Sequence, residues 1–350
     1  MANEIKNNKV GIVTLYHENH NFGGLLQAYA LPTVIEKNFG IPAEQIDYVY
    51  LPEQGKKAKE KLSLGKIIYE AGIVLFSRLE RNNLNKRKTA FEQFIQDIPH
   101  SNRVYEYDNV SDSLEMYNTF ICGGDQIWND CEENQNIKVY TLQFVPSTFR
   151  KISYAPSMAV LKASENFKKI MSNGLNQLDS VSVREKKSVS ILKPLTDKKI
   201  EVVADPVLLM TESEWTETAG VSEHKNKYIL CYLLGDSIEY RKAVKKFAKH
   251  LHLPVLTFPH ILLSAVRKCD LFFGDIRDYS SGPREFISLI KNAEFVITDS
   301  FHACVFSMIF KTPFAVFERN KIGEKENMNS RIYDFLEEYH LESQLVTEKN

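Results

Sequence analysis

The stretch NAEFVITDSFHACVFSMIF, residues 292–310, combines a predicted strand, a polar turn and a predicted helix. Its first part is apolar with a β-branched centre, which is typical of a buried strand. Asp299 and Ser300 follow, and both are residue types that cap the start of a helix. Within 301–310, apolar side chains recur at i, i+3, i+4 and i+7 spacing, which predicts a helix with His302 in its first turn.

A strand, a polar turn and a helix N-terminus in this order form a common anion site of α/β proteins. The helix start offers N–H groups and about half a positive charge. We therefore predict an anion site beside His302. The alternative is a buried helix whose histidine is merely hydrogen-bonded. Asp299 fits two roles equally well, because it can orient a sugar or His302, or simply cap the helix.

The composition is that of a soluble globular protein. The chain has 350 residues, 43% of them hydrophobic and 25% charged, and this length predicts two domains of ordinary size. With 44 basic and 45 acidic residues the net charge is −1, which argues against binding to nucleic acid through bulk electrostatics.

The cysteine pattern and the hydropathy predict a cytoplasmic protein. The five cysteines are dispersed and form no CxxC pair, which is typical of free thiols in a reducing compartment rather than of disulfides or a zinc site. The first residues, MANEIKNNKV, lack the apolar segment of a signal peptide. No apolar run reaches the length of about 18 residues that a membrane span needs.

The chain opens with a predicted βαβ unit: a strand at 10–15, a helix at 25–38 and a strand at 45–49. The polar loop 16–24 lies between the first strand and the helix, and its paired glycines allow the backbone to approach a ligand. Candidate ligand-binding residues of this loop are His17, His20, Asn21, Gly23 and Gly24.

A second polar loop follows the predicted strand 119–122. Its sequence, GGDQIWN, supplies an aromatic face and hydroxyl partners, which are typical of a sugar site. The candidates are Asp125, Gln126, Trp128 and Asn129. The alternative is an ordinary turn with a packed tryptophan.

Two basic features have both a functional and a structural interpretation. Arg184 ends the predicted strand 180–183, where it could clamp an oxyanion, or form a salt bridge with Glu185 or another carboxylate. Segment 53–100 is charged and predicted helical. It is interpreted as a solvated face, with a surface for an acidic acceptor or membrane headgroups as the alternative.

Strands and helices alternate along the whole chain, which predicts an α/β protein with two Rossmann-like domains. The expected boundaries are an N-terminal domain at 1–210, which includes the basic insertion 53–100, a linker at 211–227 and a C-terminal domain at 228–350. The last helix is expected to pack back on the N-terminal domain.

Several stretches together resemble the polysaccharide pyruvyl transferase family. They are GIVTLYHENHNFGGLLQAYAL (11–31), ICGGDQIWN (121–129), ISYAPSMA (152–159), SVREKKS (182–188), VADPVLLM (203–210) and GPREFISLIKNAEFVITDSFHA (282–303). The resemblance implies a GT-B-like fold with two Rossmann-like domains facing across a cleft. It also implies transfer of pyruvate from phosphoenolpyruvate to two hydroxyls of a sugar, in a polysaccharide or its lipid-linked precursor, to form a cyclic ketal.

In this family phosphoenolpyruvate is a co-substrate, so no cofactor is expected, and the sequence has no metal-ligand spacing. The C-terminal domain is the expected donor side and the N-terminal domain the expected acceptor side. Besides these two substrates we expect no nucleic acid partner and at most peripheral contact with the inner face of the membrane.

Donor residues follow from matching the family motifs position by position. His302 takes the place of the motif histidine and is predicted as the general acid, with Asp299 beside it. Ser300 and Phe301 complete the donor motif. Many members have an arginine at the position of Ser300, so another basic residue must replace it. Candidates are Arg331 first, then Arg284, Arg319 and Lys321.

The sequence leaves open which histidine acts as the base and which of three functions the protein has. Either His17 or His20 could deprotonate the acceptor hydroxyl. The alternative functions are a GT-B glycosyltransferase that uses a nucleotide sugar, and a degenerate, non-catalytic member that binds glycan.

Overall fold

The structure is a computed structural model that describes residues 8–50, 72, 76, 78–130, 134–160, 162–221, 224–259, 261–262, 265–319 and 329–347. The chain divides into two compact units. The first comprises Met1–Glu53, Ile95–Met210 and Ile322–Asp334, and the second comprises Gln54–Phe94, Thr211–Lys321 and Phe335–Asn350.

Strands and intervening helices build both units. The strands are β1 (Val10–Val13), β2 (Ala43–Tyr48), β3 (His100–Tyr105), β4 (Thr119–Gly123), β5 (Arg150–Tyr154), β6 (Val181–Val183), β7 (Ile200–Val202), β8 (Ile229–Tyr232), β9 (Val255–Thr257), β10 (Ile261–Leu262), β11 (Ala265–Val266), β12 (Ile276–Arg277), β13 (Phe295–Thr298) and β14 (Phe314–Val316). The helices are α1 (Phe22–Phe39), α2 (Arg81–Asp97), α3 (Asn134–Tyr140), α4 (Glu165–Gln177), α5 (Lys186–Leu192), α6 (Glu212–Thr218), α7 (Ile238–Leu251), α8 (Pro283–Lys291), α9 (Phe301–Ile309) and α10 (Asn329–Glu338). Strands β10 and β11 pair antiparallel in a small sheet of their own.

The first unit contains a parallel sheet with the strand order β3-β2-β1-β4-β5. The chain moves outward in one direction from β1 and in the other direction from β4, so the order reverses between these two strands. In open parallel sheets such a switch point creates a crevice at the carboxyl ends of the strands, where ligands bind. β1 is buried along its whole length, as expected for a parallel strand that is covered on both faces.

The second unit repeats this topology, with the order β12-β9-β8-β13-β14 and all pairs parallel. Its switch point lies between β8 and β13. The central strand β8 is again buried throughout, and a core around Ile229, Val244 and Ile297 packs between strands and helices. The predicted strand and helix of 292–310 are therefore confirmed as β13 and α9, next to the switch point.

The structure differs from the predicted segmentation in three places. Helix α1 begins at Phe22, because the Asn21 side chain accepts a hydrogen bond from Gly24 N–H and caps the helix there. The predicted linker 211–227 contains α6, which a capping box formed by Thr211 and Glu214 initiates. Segment 54–94 belongs to the second unit, although we expect the basic insertion in the first domain.

The division between the units falls within α10, after Asp334. None of the helices in the described ranges has both the length and the apolar character of a membrane span.

Candidate active-site residues at the switch point of each unit

At the switch point of the first unit, the loops that follow β1 and β4 lie in close contact. Gly124 has a φ of +110°, and a Cβ at this position would lie 2.3 Å from Thr14 Oγ1 and 2.6 Å from the Gln27 amide. Gln27 in turn donates to Thr14 Oγ1 and to the carbonyl of Gly24, both at 3.0 Å. A glycine is required here because any side chain would separate the two loops.

His17, in the loop after β1, forms a hydrogen bond with Asp47 near the carboxyl end of β2. The Nδ1 to Oδ1 distance is 2.6 Å, and the side chains are 23% and 15% exposed. Because both partners remain accessible, this pair can reach a ligand at the carboxyl edge of the sheet.

The other loop, after β4, contributes Asp125 to a buried charge network. Asp125 Oδ1 accepts from Arg184 Nη2 at 2.8 Å and from Arg331 Nη1 at 2.6 Å. Arg184 also donates to Asp205 at 2.6 Å and to Glu185 at 3.3 Å. Burial lowers the pKa of Arg184, but the three carboxylates outweigh this effect and hold it above its ordinary value.

This geometry decides between the two interpretations of Arg184 in favour of the salt bridge. Its side chain is only 3% exposed and its guanidinium is bound by three carboxylates, so the expected oxyanion clamp does not exist in this structure. Arg331, the first candidate to replace the missing arginine, is bound to Asp125 in the first unit and 4% exposed.

The remaining acceptor candidates differ in their surroundings. Trp128 is wholly buried and donates its indole N–H to the carbonyl of Tyr140 at 2.8 Å. The prediction that it stacks on a sugar is therefore wrong, and the alternative of a packed tryptophan holds. Asn21 acts as a helix cap. The others lie in the two loops as expected: Gly23 and Gly24 buried in the first turn of α1, His20 exposed, Gln126 half-buried with a φ of 58°, and Asn129 buried.

At the switch point of the second unit, Asp299 fastens β13 to the loop after β8. Its two carboxylate oxygens accept from the N–H groups of Leu234 at 2.6 Å and Gly235 at 2.7 Å. The N-cap of α9 is Ser300 rather than Asp299, so the capping alternative is wrong. The observed bonds assign Asp299 to a third role, the support of the neighbouring loop.

Two arginines hold the same loop from the other side. Arg267 donates to the carbonyls of Leu233, at 2.8 Å, and Leu234, and Arg241 donates to that of Gly235 at 3.0 Å. Asp270 accepts from both guanidinium groups and orients them. The loop after β8 is thus bound at its N–H groups and at its carbonyls, which makes it a preorganised part of the edge.

Three guanidinium groups surround the end of β8. Burial raises the pKa of the Tyr232 phenol to about 12, and the positive charges of Arg87, Arg319 and Arg267 oppose that rise. Arg87 comes from α2 and donates to the carbonyl of Pro259, just beyond β9, at 3.4 Å. Arg319 follows β14 and donates to the carbonyl of Asp299 at 3.0 Å. These contacts place three guanidinium groups at the carboxyl edge of the second sheet, where Arg267 pairs with Asp270 and Arg319 lies 3.9 Å from Asp299.

His302 lies at this edge in the first turn of α9, with its ring 5.1 Å from that of Phe301. Both side chains are buried, and the Ser300 side chain makes no cap hydrogen bond to the helix. The positively polarised helix start, His302 and Arg319 therefore belong to one edge of one unit.

The contacts of the candidate residues reduce the number that could replace the arginine absent at Ser300. Arg284 donates to the carbonyl of Thr218 and stacks over Phe94, so it supports α8 instead. Lys321 lies outside the described residues. Among the described candidates, Arg319 is the one that contacts Asp299, next to Ser300 in the chain.

Sequence reasoning missed Asp47, Arg87 and Arg267. Arg87 lies in the segment interpreted as a solvated face, and Arg267 follows no strand of the predicted set. Asp47 lies inside a predicted strand, where an acidic side chain flanked by apolar residues was the signal that could have revealed it.

Fold and site together define a protein with two Rossmann-like units, each with a polar switch point, one of them rich in arginine. The chain belongs to the polysaccharide pyruvyl transferase family, whose model matches residues 21–321, and the predicted family is confirmed. The description of this family makes its members transferases. No curated protein matches the chain significantly.

Comparison with solved structures supports the fold. The UDP-GlcNAc 2-epimerase of Neisseria meningitidis, solved with UDP-GlcNAc bound, aligns over 96% of this chain and 93% of its own, with a TM-score of 0.53 at 11% identity. The UDP-GlcNAc 2-epimerase of Methanocaldococcus jannaschii aligns over 98% and 94%, with a TM-score of 0.51 at 13% identity. At such identities the likeness is one of fold, and it confirms the predicted GT-B-like α/β class.

Proposed function

We propose that this protein transfers pyruvate from phosphoenolpyruvate to two hydroxyls of a sugar, in a polysaccharide or its lipid-linked precursor, and forms a cyclic ketal. Membership of the polysaccharide pyruvyl transferase family supports the class of reaction. The observation that carries the choice of donor is the group of Arg87, Arg267 and Arg319 around Tyr232, at the same sheet edge as the start of α9.

Phosphoenolpyruvate carries about three negative charges, one on the carboxylate and close to two on the phosphate. A site for it needs several cationic groups, and guanidinium forks match both carboxylate and phosphate oxygens. Arg319 is the proposed replacement for the arginine absent at Ser300. Arg184 and Arg331 do not belong to this donor set, because both lie in the first unit and their side chains are only 3% and 4% exposed. Arg267 and Arg319, by comparison, are each 16% exposed.

The reaction can be written with all atoms and electrons balanced. The enol double bond takes a proton at its methylene carbon, which becomes a methyl group, while a sugar oxygen bonds to the adjacent carbon. The bond from that carbon to the phosphate oxygen then breaks, phosphate leaves with the electron pair, and the second sugar oxygen takes its place. The two hydroxyls release two protons, of which one balances the methyl group and one ends on phosphate.

His302 is the proposed general acid of the first step. It lies in the first turn of α9, at the edge where the donor phosphate and carboxylate would bind. The trianionic donor favours the protonated imidazole. We expect the His302→Asn variant to bind phosphoenolpyruvate and to lose about 10²–10⁴-fold in kcat.

The test begins with the choice of donor. The melting temperature of the wild-type protein is measured alone and in the presence of phosphoenolpyruvate, inorganic phosphate, UDP-GlcNAc or GDP-mannose. We expect stabilisation by phosphoenolpyruvate, and phosphate release together with a ketal methyl signal in the product NMR spectrum when a suitable oligosaccharide is added. Stabilisation by a nucleotide sugar alone would replace the proposal with a glycosyltransferase. Glycan binding without turnover of either donor would point to a non-catalytic member.

Charge-removing variants then test the arginine group. Arg319→Gln and Arg87→Gln should each weaken phosphoenolpyruvate binding about 10–100-fold, the value of one charge-assisted contact. Arg103→Gln is the matched control, because Arg103 is 54% exposed and pairs with Asp112 at the surface of the first unit. Equal donor affinity in all three variants would remove the arginine group from the donor site.

A further inference from the structure

We infer that His17 and Asp47 form a catalytic pair in which the Nε2 atom of His17 takes the proton from the attacking sugar hydroxyl. The inference rests on the proposed function in that it assumes a hydroxyl nucleophile. It also assigns to Asp47 a role that no motif of the chain indicates.

The position of the pair favours acceptor chemistry. His17 lies in the turn after β1, and Asp47 is the fifth residue of the neighbouring parallel strand β2. Both therefore lie at the carboxyl edge of the first sheet, the edge that also carries the switch point and the GGDQIWN loop. The loop after β1 and the loop after β4 are in contact through Thr14 and Gly124.

The hydrogen bond determines which nitrogen of His17 is basic. An ionised carboxylate can only accept, so the short 2.6 Å bond to Asp47 requires the hydrogen on Nδ1. In the neutral ring the lone pair is then on Nε2, the atom that points away from the carboxylate. A carboxylate that orients a histidine in this way also stabilises the imidazolium formed when Nε2 accepts a proton.

The carboxylate of the pair is held in place by its surroundings. The backbone N–H of Asp47 donates to Ser101 Oγ at 2.9 Å, which fixes the end of β2. The Tyr16 hydroxyl is buried, and its pKa is raised well above the ordinary value, first by burial and then by the charge of Asp47. Tyr16 therefore stays protonated beside Asp47 and does not compete with His17 as a base.

In the proposed step the O–H bond of the sugar breaks and its hydrogen moves to Nε2 as a proton. The oxygen keeps the electron pair and uses it for the new bond to the electrophilic carbon of the donor. His17 becomes an imidazolium that is paired with Asp47. Asp47 acts only through His17 and is a positioning residue.

The first experiment measures turnover and affinity separately. For wild-type protein, His17→Gln, Asp47→Asn and the control His250→Gln, kcat and the KM of both substrates are determined. We expect His17→Gln to lower kcat about 10²–10⁴-fold with the KM of phosphoenolpyruvate unchanged, and Asp47→Asn to lower kcat about 10²-fold or more. Imidazole added to His17→Ala should restore part of the lost activity, which a merely structural loss would not allow. His250 is exposed on α7 in the second unit, so its variant should match wild type.

Each contrary result has a distinct meaning. Pyruvate transfer by the wild type together with normal kcat in His17→Gln overturns the pair and leaves the proposed function intact. A loss in His20→Gln but not in His17→Gln assigns the base to His20. If the wild type uses a nucleotide sugar, the proposed function fails, and the same variants measured with that donor decide on the pair.

A second measurement does not depend on any activity. NMR of protein labelled with ¹⁵N-histidine reports which ring nitrogen of His17 carries the hydrogen, with His17→Gln used to assign the signal. The Nδ1–H form in the wild type, lost in Asp47→Asn, supports the inference. An Nε2–H form in the wild type overturns it, because Nε2 would then have no lone pair.

Discussion

Replacing Arg184 with methionine would remove the cation that Asp125, Asp205 and Glu185 share in the first unit. Methionine has a similar length and fills most of the space, so the perturbation is chiefly one of charge. Asp125 keeps its bond to Arg331, and it is the most exposed of the three carboxylates at 12%. The unpaired charge therefore falls mainly on Asp205 and Glu185, which are 0% and 3% exposed.

The magnitude follows from the burial of these two carboxylates. Breaking a buried ion pair by removing one partner costs about 3–5 kcal/mol, because the remaining charge has lost both water and its counterion. The cost stays near the lower end of this range, since Val207 N–H still donates to Asp205 and Ser188 to Glu185. For a unit of this size, about 3 kcal/mol corresponds to a decrease in melting temperature of roughly 6–12 °C.

The assay must report on the first unit alone. The chain has two tryptophans, Trp128 in the first unit and Trp215 in the second. In a Trp215→Phe background, urea unfolding followed by fluorescence therefore measures the unit that contains Arg184. Arg103→Met is the control, and it should change the free energy of unfolding by less than about 0.5 kcal/mol because its partner is at the surface.

A variant that is as stable as the background but binds phosphoenolpyruvate weakly would contradict the structural role of Arg184. Suppose that the free energy of unfolding of Arg184→Met differs from that of the background by no more than roughly 1 kcal/mol, a change of the order seen for surface substitutions. If phosphoenolpyruvate binding falls at the same time, then Arg184 is a donor clamp. Loss of stability in Arg184→Met with normal donor affinity in Arg184→Lys supports the structural role.

Three further predictions concern single features of the fold. Gly124→Ala should destabilise the first unit by at least about 1–3 kcal/mol in urea unfolding, because φ of +110° excludes a side chain; an unchanged midpoint would contradict the close contact with Thr14. Burial raises the pKa of Asp278, but hydrogen bonds from Ser281 and Ser280 outweigh it and lower the pKa below the ordinary value of 3.8. The stabilisation is thus present above that value and lost as the pH falls through the folded pKa, so Asp278→Asn should cost about 1–3 kcal/mol at neutral pH and progressively less in acid, measured by unfolding at several pH values. Finally, iodide should quench tryptophan fluorescence only weakly, with or without oligosaccharide, because both tryptophans are buried; strong quenching relieved by sugar would restore Trp128 as a stacking platform.

The elements of the fold were predictable because they depend on local patterns. Apolar β-branched runs, polar turns and periodic helices are each encoded within about ten residues, and their alternation leads to parallel sheets. The start of α9 beside β13 followed from 292–310 alone, as did the family from its motifs. The observed helix boundaries differ from the predicted ones where a side-chain hydrogen bond sets the end of the helix. Asn21, for example, caps α1 so that it begins three residues earlier than predicted.

The chemistry of the site depended on contacts between residues distant in the chain. Whether Arg184 is a ligand clamp or a buried salt bridge is decided by Asp125 and Asp205, 59 and 21 residues away. Trp128 looks the same in the sequence whether it lies in a loop or in a core. His17 and His20 are equivalent candidate bases in the sequence, and only the bond to Asp47 distinguishes His17, since the tautomer of an imidazole depends on its hydrogen-bond partner. Local sequence patterns were enough to predict two Rossmann-like units and the family, whereas the pairing of the charged side chains depends on contacts between residues that are distant in the chain.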